Sequence, residues 1–173
     1  GGVDTVVLTD KDETLALNGS KAFSAYQIAF SEFDAVDAGA GSDTILLTAG
    51  DDTVSVRGEG SLLTQGIAFT RIESIKGGEG QDLAQLTGEP DAIQYKGGGV
   101  FATAGLSFFD FEAVHAGGGN DVLTLTPGDD EVALRLPAEP PAHVGDLVAQ
   151  ALQVGAQRLR GPRQELAERC RPI

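Results

Sequence analysis

Apolar and polar residues alternate along most of this chain in short stretches, such as Asp52-Thr53-Val54-Ser55-Val56, that stop at glycine or aspartate. A period of two is that of a half-buried strand, and Gly- and Asp-rich clusters form turns, so the pattern predicts many short strands joined tightly. The apolar positions also recur at one fixed offset. Leu15, Val54, Ile93 and Val132 are 39 residues apart, as are Phe30, Phe69 and Phe108, and Val36, Ile75 and Val114. Phe23, Leu62 and Phe101 keep the same register, and Asn18-Gly19, Arg57-Gly58 and Lys96-Gly97 mark one matching turn per unit. One such unit cannot bury its apolar face alone, so neighbours must stack. The expectation is an all-β fold, a parallel β-solenoid of 39-residue units filling residues 1–134 with about 3.4 copies, in which Phe30, Phe69 and Phe108 form one internal ladder. Each unit would make one wide coil or two of about 20 residues, setting equivalent residues ~5 or ~10 Å apart.

Inside each unit runs a shorter pattern of nine. Asp34, Asp43 and Asp52 are nine apart, and so are Glu73, Asp82 and Asp91, and Glu112, Asp121 and Asp130. Glycines lead into the middle member: Gly39-Ala40-Gly41-Ser42-Asp43, Gly77-Gly78-Glu79-Gly80-Gln81-Asp82 and Gly117-Gly118-Gly119-Asn120-Asp121. This resembles the calcium-binding nonapeptide of the repeats-in-toxin (hemolysin-type) family, G-G-x-G-x-D-x-U-x. Residues 77–82 match its glycine and aspartate positions in full, while the following turns, such as Thr48-Ala49-Gly50-Asp51-Asp52 and Thr87-Gly88-Glu89-Pro90-Asp91, are poorer in glycine. That family winds continuously in nines, with same-side turns two nonapeptides apart. Here the third nonapeptide gives way to about twelve other residues, and equivalent turns recur every 39.

The resemblance implies a calcium site drawn from Asp43, Asp52, Gly77, Gly78, Gly80, Asp82, Asp91, Asp121 and Asp130, the glycines acting through their carbonyls. Electrostatics points the same way. If Asp43, Asp82 and Asp121 stack ~5 Å apart, neighbouring carboxylates repel by roughly 1 kcal/mol in water-like surroundings and ~3.5 at an effective dielectric of 20. Calcium suits such a place, because it takes six to eight oxygen ligands in flexible geometry. The competing reading is that each aspartate caps its own turn through an Asx-type hydrogen bond and stays solvated.

A looser resemblance, to large bacterial secreted or surface proteins of adhesin-like β-repeats, rests on Phe33-Asp34-Ala35-Val36-Asp37-Ala38-Gly39, Ile72-Glu73-Ser74-Ile75-Lys76-Gly77-Gly78 and Phe111-Glu112-Ala113-Val114-His115-Ala116-Gly117. It implies an extended extracellular scaffold or adhesive array, whose partners would be calcium, surface glycans or other repeats of the same protein.

Charge and composition narrow the partners. The net charge is −14, but residues 1–134 carry 22 acidic and 6 basic side chains and residues 135–173 carry 4 and 6, so the body is strongly anionic and the tail slightly cationic. An anionic body repels phosphate backbones and attracts cations, which argues against nucleic acid. No apolar run is long enough for a membrane span. Methionine is absent and Gly1 falls inside a repeat, which predicts an internal piece of a longer protein; the lone cysteine, Cys170, excludes an internal disulfide framework.

After Leu134 the register fails. Pro137, Pro140 and Pro141 break it, and apolar residues at helical spacing follow from Asp146 to Arg160, so residues 135–173 read as a non-repeat tail, helical or disordered, either an end cap or foreign to the fold. An enzyme is not expected. Some β-helices cleave polysaccharides with paired acids, yet His115 and His143 are isolated, cations are scattered, and the acids recur in every unit instead of forming one irregular constellation. A calcium-independent carbohydrate- or surface-binding β-helix is the alternative, and a polysaccharide lyase or hydrolase the remote one.

Overall fold

The computed structural model describes residues 2–126. The expected tail, its helix and the boundary at 134 lie outside those residues, as do Asp130 and Val132. Sixteen strands and no helix make up the described part. The chain opens with β1 (Thr5–Val7), β2 (Thr14–Gly19), β3 (Ala22–Ala25), β4 (Ile28–Ser31) and β5 (Ala35–Asp37). The same five kinds of strand return as β6 (Thr44–Leu46), β7 (Thr53–Gly58), β8 (Ser61–Thr64), β9 (Ile67–Thr70) and β10 (Ser74–Lys76). They return again as β11 (Leu83–Gln85), β12 (Ala92–Gly97), β13 (Val100–Thr103), β14 (Leu106–Phe109) and β15 (Ala113–His115), before β16 (Val122–Thr124).

These strands build two sheets, ordered β1-β5-β9-β8-β7-β11-β15 and β4-β3-β2-β6-β10-β14-β13-β12-β16. Pairings between successive turns are all parallel, and antiparallel pairing is confined to the meanders β2-β3-β4, β7-β8-β9 and β12-β13-β14. The protein is thus a parallel β-solenoid, as the repeat predicts, with a hairpin added to one strand of each unit.

Those hairpins close through two consecutive left-handed residues: Tyr26 and Gln27 (φ 52° and 64°), Gln65 and Gly66 (49° and 78°), Ala104 and Gly105 (48° and 75°). Two positive φ values in a two-residue loop are the requirement of the tight turn whose twist matches that of paired strands.

The coil number differs from both expectations. Each nonapeptide strand crosses to the opposite sheet, whereas the hairpin returns on the sheet it left. Three crossings per unit make one and a half turns, so equivalent residues 39 apart land alternately on the two sheets. Phe30 and Phe108 belong to the nine-stranded sheet and Phe69 to the seven-stranded one. The predicted single ladder is therefore corrected. The stacking offset is 30, one full turn plus one hairpin, as in Thr5↔Ala35, Thr14↔Thr44, Thr44↔Ser74, Thr53↔Leu83 and Ala92↔Val122, and 33 where a strand stacks on the returning strand of a hairpin, as in Ala35↔Ala68 and Ser74↔Ser107.

The phenylalanines still fill the core, but in pairs across hairpin strands. Phe23 stacks on Phe30 with ring centroids 4.9 Å apart, Phe101 on Phe108 at 4.5 Å, and Leu62 faces Phe69 in the middle unit. Phe23 also meets Phe69 edge-on at 6.3 Å, tying one sheet to the other across the interior. Such aromatic pairs add ~0.5–1.5 kcal/mol each beyond the area they bury. Leu15, Val36, Ile45, Val54, Ile75 and Ala84 complete the interior, one inward residue from each short strand.

Candidate cation-binding corners

A corner forms wherever the chain crosses from one sheet to the other, and an acidic residue occupies the last position before the strand that follows. The parallel register stacks these acids at the offset of 30. Glu13, Asp43 and Glu73 form one column beside β2, β6 and β10, while Asp52, Asp82 and Glu112 form another beside β7, β11 and β15. Asp91 and Asp121 make a shorter column, as do Asp4 and Asp34. Within each column the carboxylate accepts the backbone N–H of the acid one turn earlier. Asp43 Oδ1 takes the N–H of Glu13 at 2.8 Å and Glu73 Oε2 that of Asp43 at 2.7 Å. Asp82 Oδ1 takes that of Asp52 at 2.9 Å, Glu112 Oε2 that of Asp82 at 2.7 Å, and Asp121 Oδ1 that of Asp91 at 3.0 Å. Charge-assisted bonds of this kind are stronger than neutral ones, and they satisfy amides at corners that the sheet ladders do not reach.

Two of these bonds, those accepted by Asp43 and Asp82, use one oxygen of a carboxylate that burial has stripped of water. Asp43 is 0% exposed and Asp82 1%, and Asp43 Oδ2, Asp82 Oδ2 and Glu13 Oε2 have no hydrogen-bond partner. Burial pushes the Asp43 carboxyl up to about 6, the charges of Glu13 and Glu73 acting in the same direction and the Glu13 N–H opposing them. Burial likewise raises Asp82, with the nearby charges of Asp52 and Glu112 adding to it. Glu13 is held low by the Thr9 hydroxyl and then by the Tyr26 phenol. A buried polar atom without a partner costs ~1–3 kcal/mol, more when charged, which a bound cation would offset.

Turn stacking brings carbonyls to the same corners. A Cβ on Gly41 would lie 2.5 Å from the Lys11 carbonyl oxygen, and one on Gly80 2.6 Å from that of Gly50. Only glycine lets these backbones touch, and both residues have positive φ. Among the described residues no three His, Cys, Asp or Glu side chains converge as a metal site. An ion here would have to combine carboxylate with carbonyl oxygen, and an all-oxygen donor set with orphaned anionic oxygens fits calcium.

The predicted site residues separate into two kinds. Asp43, Asp82 and Asp121 bridge successive turns, but not to one another: each pairs with an acid 30 residues earlier, which corrects the expected Asp43–Asp82–Asp121 stack. Asp52 and Asp91 close their own turns, Asp52 Oδ2 accepting the Thr48 N–H and hydroxyl at 2.8 Å each, and Asp91 Oδ2 those of Thr87 at 3.0 and 2.9 Å. These two aspartates cap their own turns, as the competing reading expects, but by accepting from a threonine four residues earlier instead of through an Asx turn, and both side chains are buried and not solvated. Gly77 abuts the Asp82 carboxylate and the Asp110 carbonyl, while Gly78 and Gly80 carry the turn's positive φ. The structure thus brings together Asp52 with Asp82 and Asp91 with Asp121. The site expected from the sequence did not include Glu13, nor Glu73 and Glu112 although both stand in the series of nine; the difference between the two periods, 39 and nine, is the stacking offset that finds all three.

Residues 30–56 and 112–133 match the RTX calcium-binding nonapeptide repeat, a unit of four copies. These segments contain Asp34, Asp43, Asp52, Glu112 and Asp121, whereas the glycine-complete turn 77–82 lies between them. The repeats of that family bind calcium. No curated protein and no solved structure matches the chain.

Proposed function

We propose, from the RTX calcium-binding nonapeptide repeats within this β-solenoid, that the chain is a structural segment of an extracellular bacterial protein whose corner acids take calcium. The observation that carries the reading is the buried, half-used carboxylate: Asp43 and Asp82 each spend one oxygen on the turn below and keep the other without a partner. Asp43 with Glu13, Asp82 with Asp52, and Asp121 with Asp91 would hold ions together with turn carbonyls from residues such as Lys11 and Gly50. Bound calcium would supply positive charge that offsets the repulsion within each column.

The recurrence of the same acids in every turn supports a repeated structural role over a single catalytic centre. No helix among the described residues is long and apolar enough to cross a membrane. Extracellular calcium modules commonly have Kd near ~10⁻⁴ to 10⁻³ M, so sites of that strength would fill outside a cell and stay empty inside it. A scaffolding or adhesive role, with glycans or further repeats as partners, follows from that setting and from the exposed strand faces of a stack.

Calorimetric titration of the full chain tests the reading. Saturable calcium uptake with Kd in that range is expected. No uptake up to ~10 mM calcium would leave the calcium-independent surface-binding β-helix as the better account.

A further inference from the structure

Each hairpin carries one turn residue back over the acid that opens its own first strand. Tyr26, Gln65 and Ala104 hold the same place, 39 residues apart, with the same left-handed backbone (φ 52°, 49° and 48°). Their side chains treat the corner differently. The Tyr26 phenol donates to Glu13 Oε1, and the Gln65 side-chain amide donates to Asp52 Oδ1. Ala104 has nothing to donate. Asp91, only 9% exposed, is held through Oδ2 by Thr87, and no described residue bonds its Oδ1. Beside Ala104 the surface opens into a cleft lined by Ala92, Gln94, Lys96, Thr103 and Leu106.

We infer that this hairpin residue sets how readily each corner accepts a cation, a donor side chain occupying a carboxylate oxygen that an ion would otherwise use. The inference rests on the calcium reading above and adds to it a rank among corners within one chain. The Asp91–Asp121 corner, facing alanine, has no described residue bonded to the turn acid's Oδ1. The Asp52–Asp82 corner has both Asp52 oxygens engaged, by Thr48 and by Gln65, and offers the buried Asp82 Oδ2 alone. The Glu13–Asp43 corner is intermediate, because Thr9 and Tyr26 share one Glu13 oxygen while Glu13 Oε2 and Asp43 Oδ2 stay unpartnered. The hairpin is absent from a plain winding in nines, so it is where this chain adds control over its own corners.

The test is calcium calorimetry on the full chain as wild type, Gln65→Ala and Ala104→Gln, with circular dichroism to confirm the strand content of each. In Gln65→Ala the ion no longer displaces a charge-assisted hydrogen bond, so one site tightens about tenfold, the ratio that ~1.4 kcal/mol represents. In Ala104→Gln, whose backbone already has the conformation Gln65 adopts, one site weakens by a similar factor. Weaker binding by Gln65→Ala would overturn the inference by making Gln65 a ligand through its carbonyl oxygen. Unchanged binding in both variants, with a wild type that binds, would overturn it as well. A wild type that takes up no calcium would instead remove the calcium reading itself.

Discussion

Asparagine at position 43 keeps the Oδ1 acceptor for the Glu13 N–H and replaces the orphaned Oδ2 with an amide able to donate to the unpartnered Glu13 Oε2. Aspartate there ionises against its surroundings, its carboxyl pushed to about 6 from an ordinary 3.8. The folded form therefore binds this proton more tightly than the unfolded chain. Its contribution to stability is fully present below ~4 and is lost as the pH rises through about 6. At pH 7 in calcium-free buffer a displacement of about two units, at ~1.4 kcal/mol each, comes to at most ~3 kcal/mol held against the fold. Asp43→Asn should remove that cost. In thermal melts followed by circular dichroism, with chelator at pH 7, the variant should melt ~5–15 °C above wild type, and the gap should close towards pH 4. Millimolar calcium should narrow it too, because the ion relieves the wild type and gains less from the variant. An Asp43→Asn protein that melts below wild type in chelator at pH 7 would refute the reasoning, since the charged carboxylate would then be stabilising by itself.

Two further substitutions probe the packing. Gly39→Ala should destabilise by ~3 kcal/mol or more, because its φ is +98° and the new Cβ would run into the Thr9 carbonyl, whereas Gly19→Ala, at φ +117° in open space, should cost only ~1–2 kcal/mol by denaturant unfolding. Phe69→Ala, fully buried and in contact with Phe23, should cost ~3–5 kcal/mol, and Phe30→Ala, half-buried on the edge strand β4, clearly less; equal losses would contradict the assignment of Phe69 to the shared core.

Much of this was legible in the sequence. Alternation in stretches such as Thr53-Val54-Ser55-Val56 marks β7, and the recurring Asn18-Gly19, Arg57-Gly58 and Lys96-Gly97 pairs end the first strand of each meander, just before its first turn. What the period of 39 concealed was its parity. A repeat in sequence shows which residues are equivalent, but stacking depends on how many times the chain crosses between sheets, and an odd number puts equivalents on opposite sides. That is why Phe69 left the ladder and why Asp43 stands between Glu13 and Glu73. The bonding of Asp52 and Asp91 within their own turns was readable from Thr-x-x-x-Asp spacing, as Thr48 and Thr87 show. The Tyr26 and Gln65 contacts were not readable, because they depend on where the hairpin folds back.

Calcium stabilisation through the corner acids is measured most directly by the calcium-induced change in melting temperature of the full chain, compared with magnesium at equal ionic strength and repeated on Asp82→Ala. Asp82→Ala also loses the acceptor for the Asp52 N–H, so the quantity that decides is the shift on adding the ion and not the melting temperature itself. An ion that binds only the folded form adds ~2.7 kcal/mol per site at 100 times its Kd, enough for a shift of several degrees. The account predicts a large shift with calcium, a small one with magnesium, and a reduced calcium shift in Asp82→Ala. Equal shifts from the two ions, or a calcium shift that Asp82→Ala leaves unchanged, would contradict it.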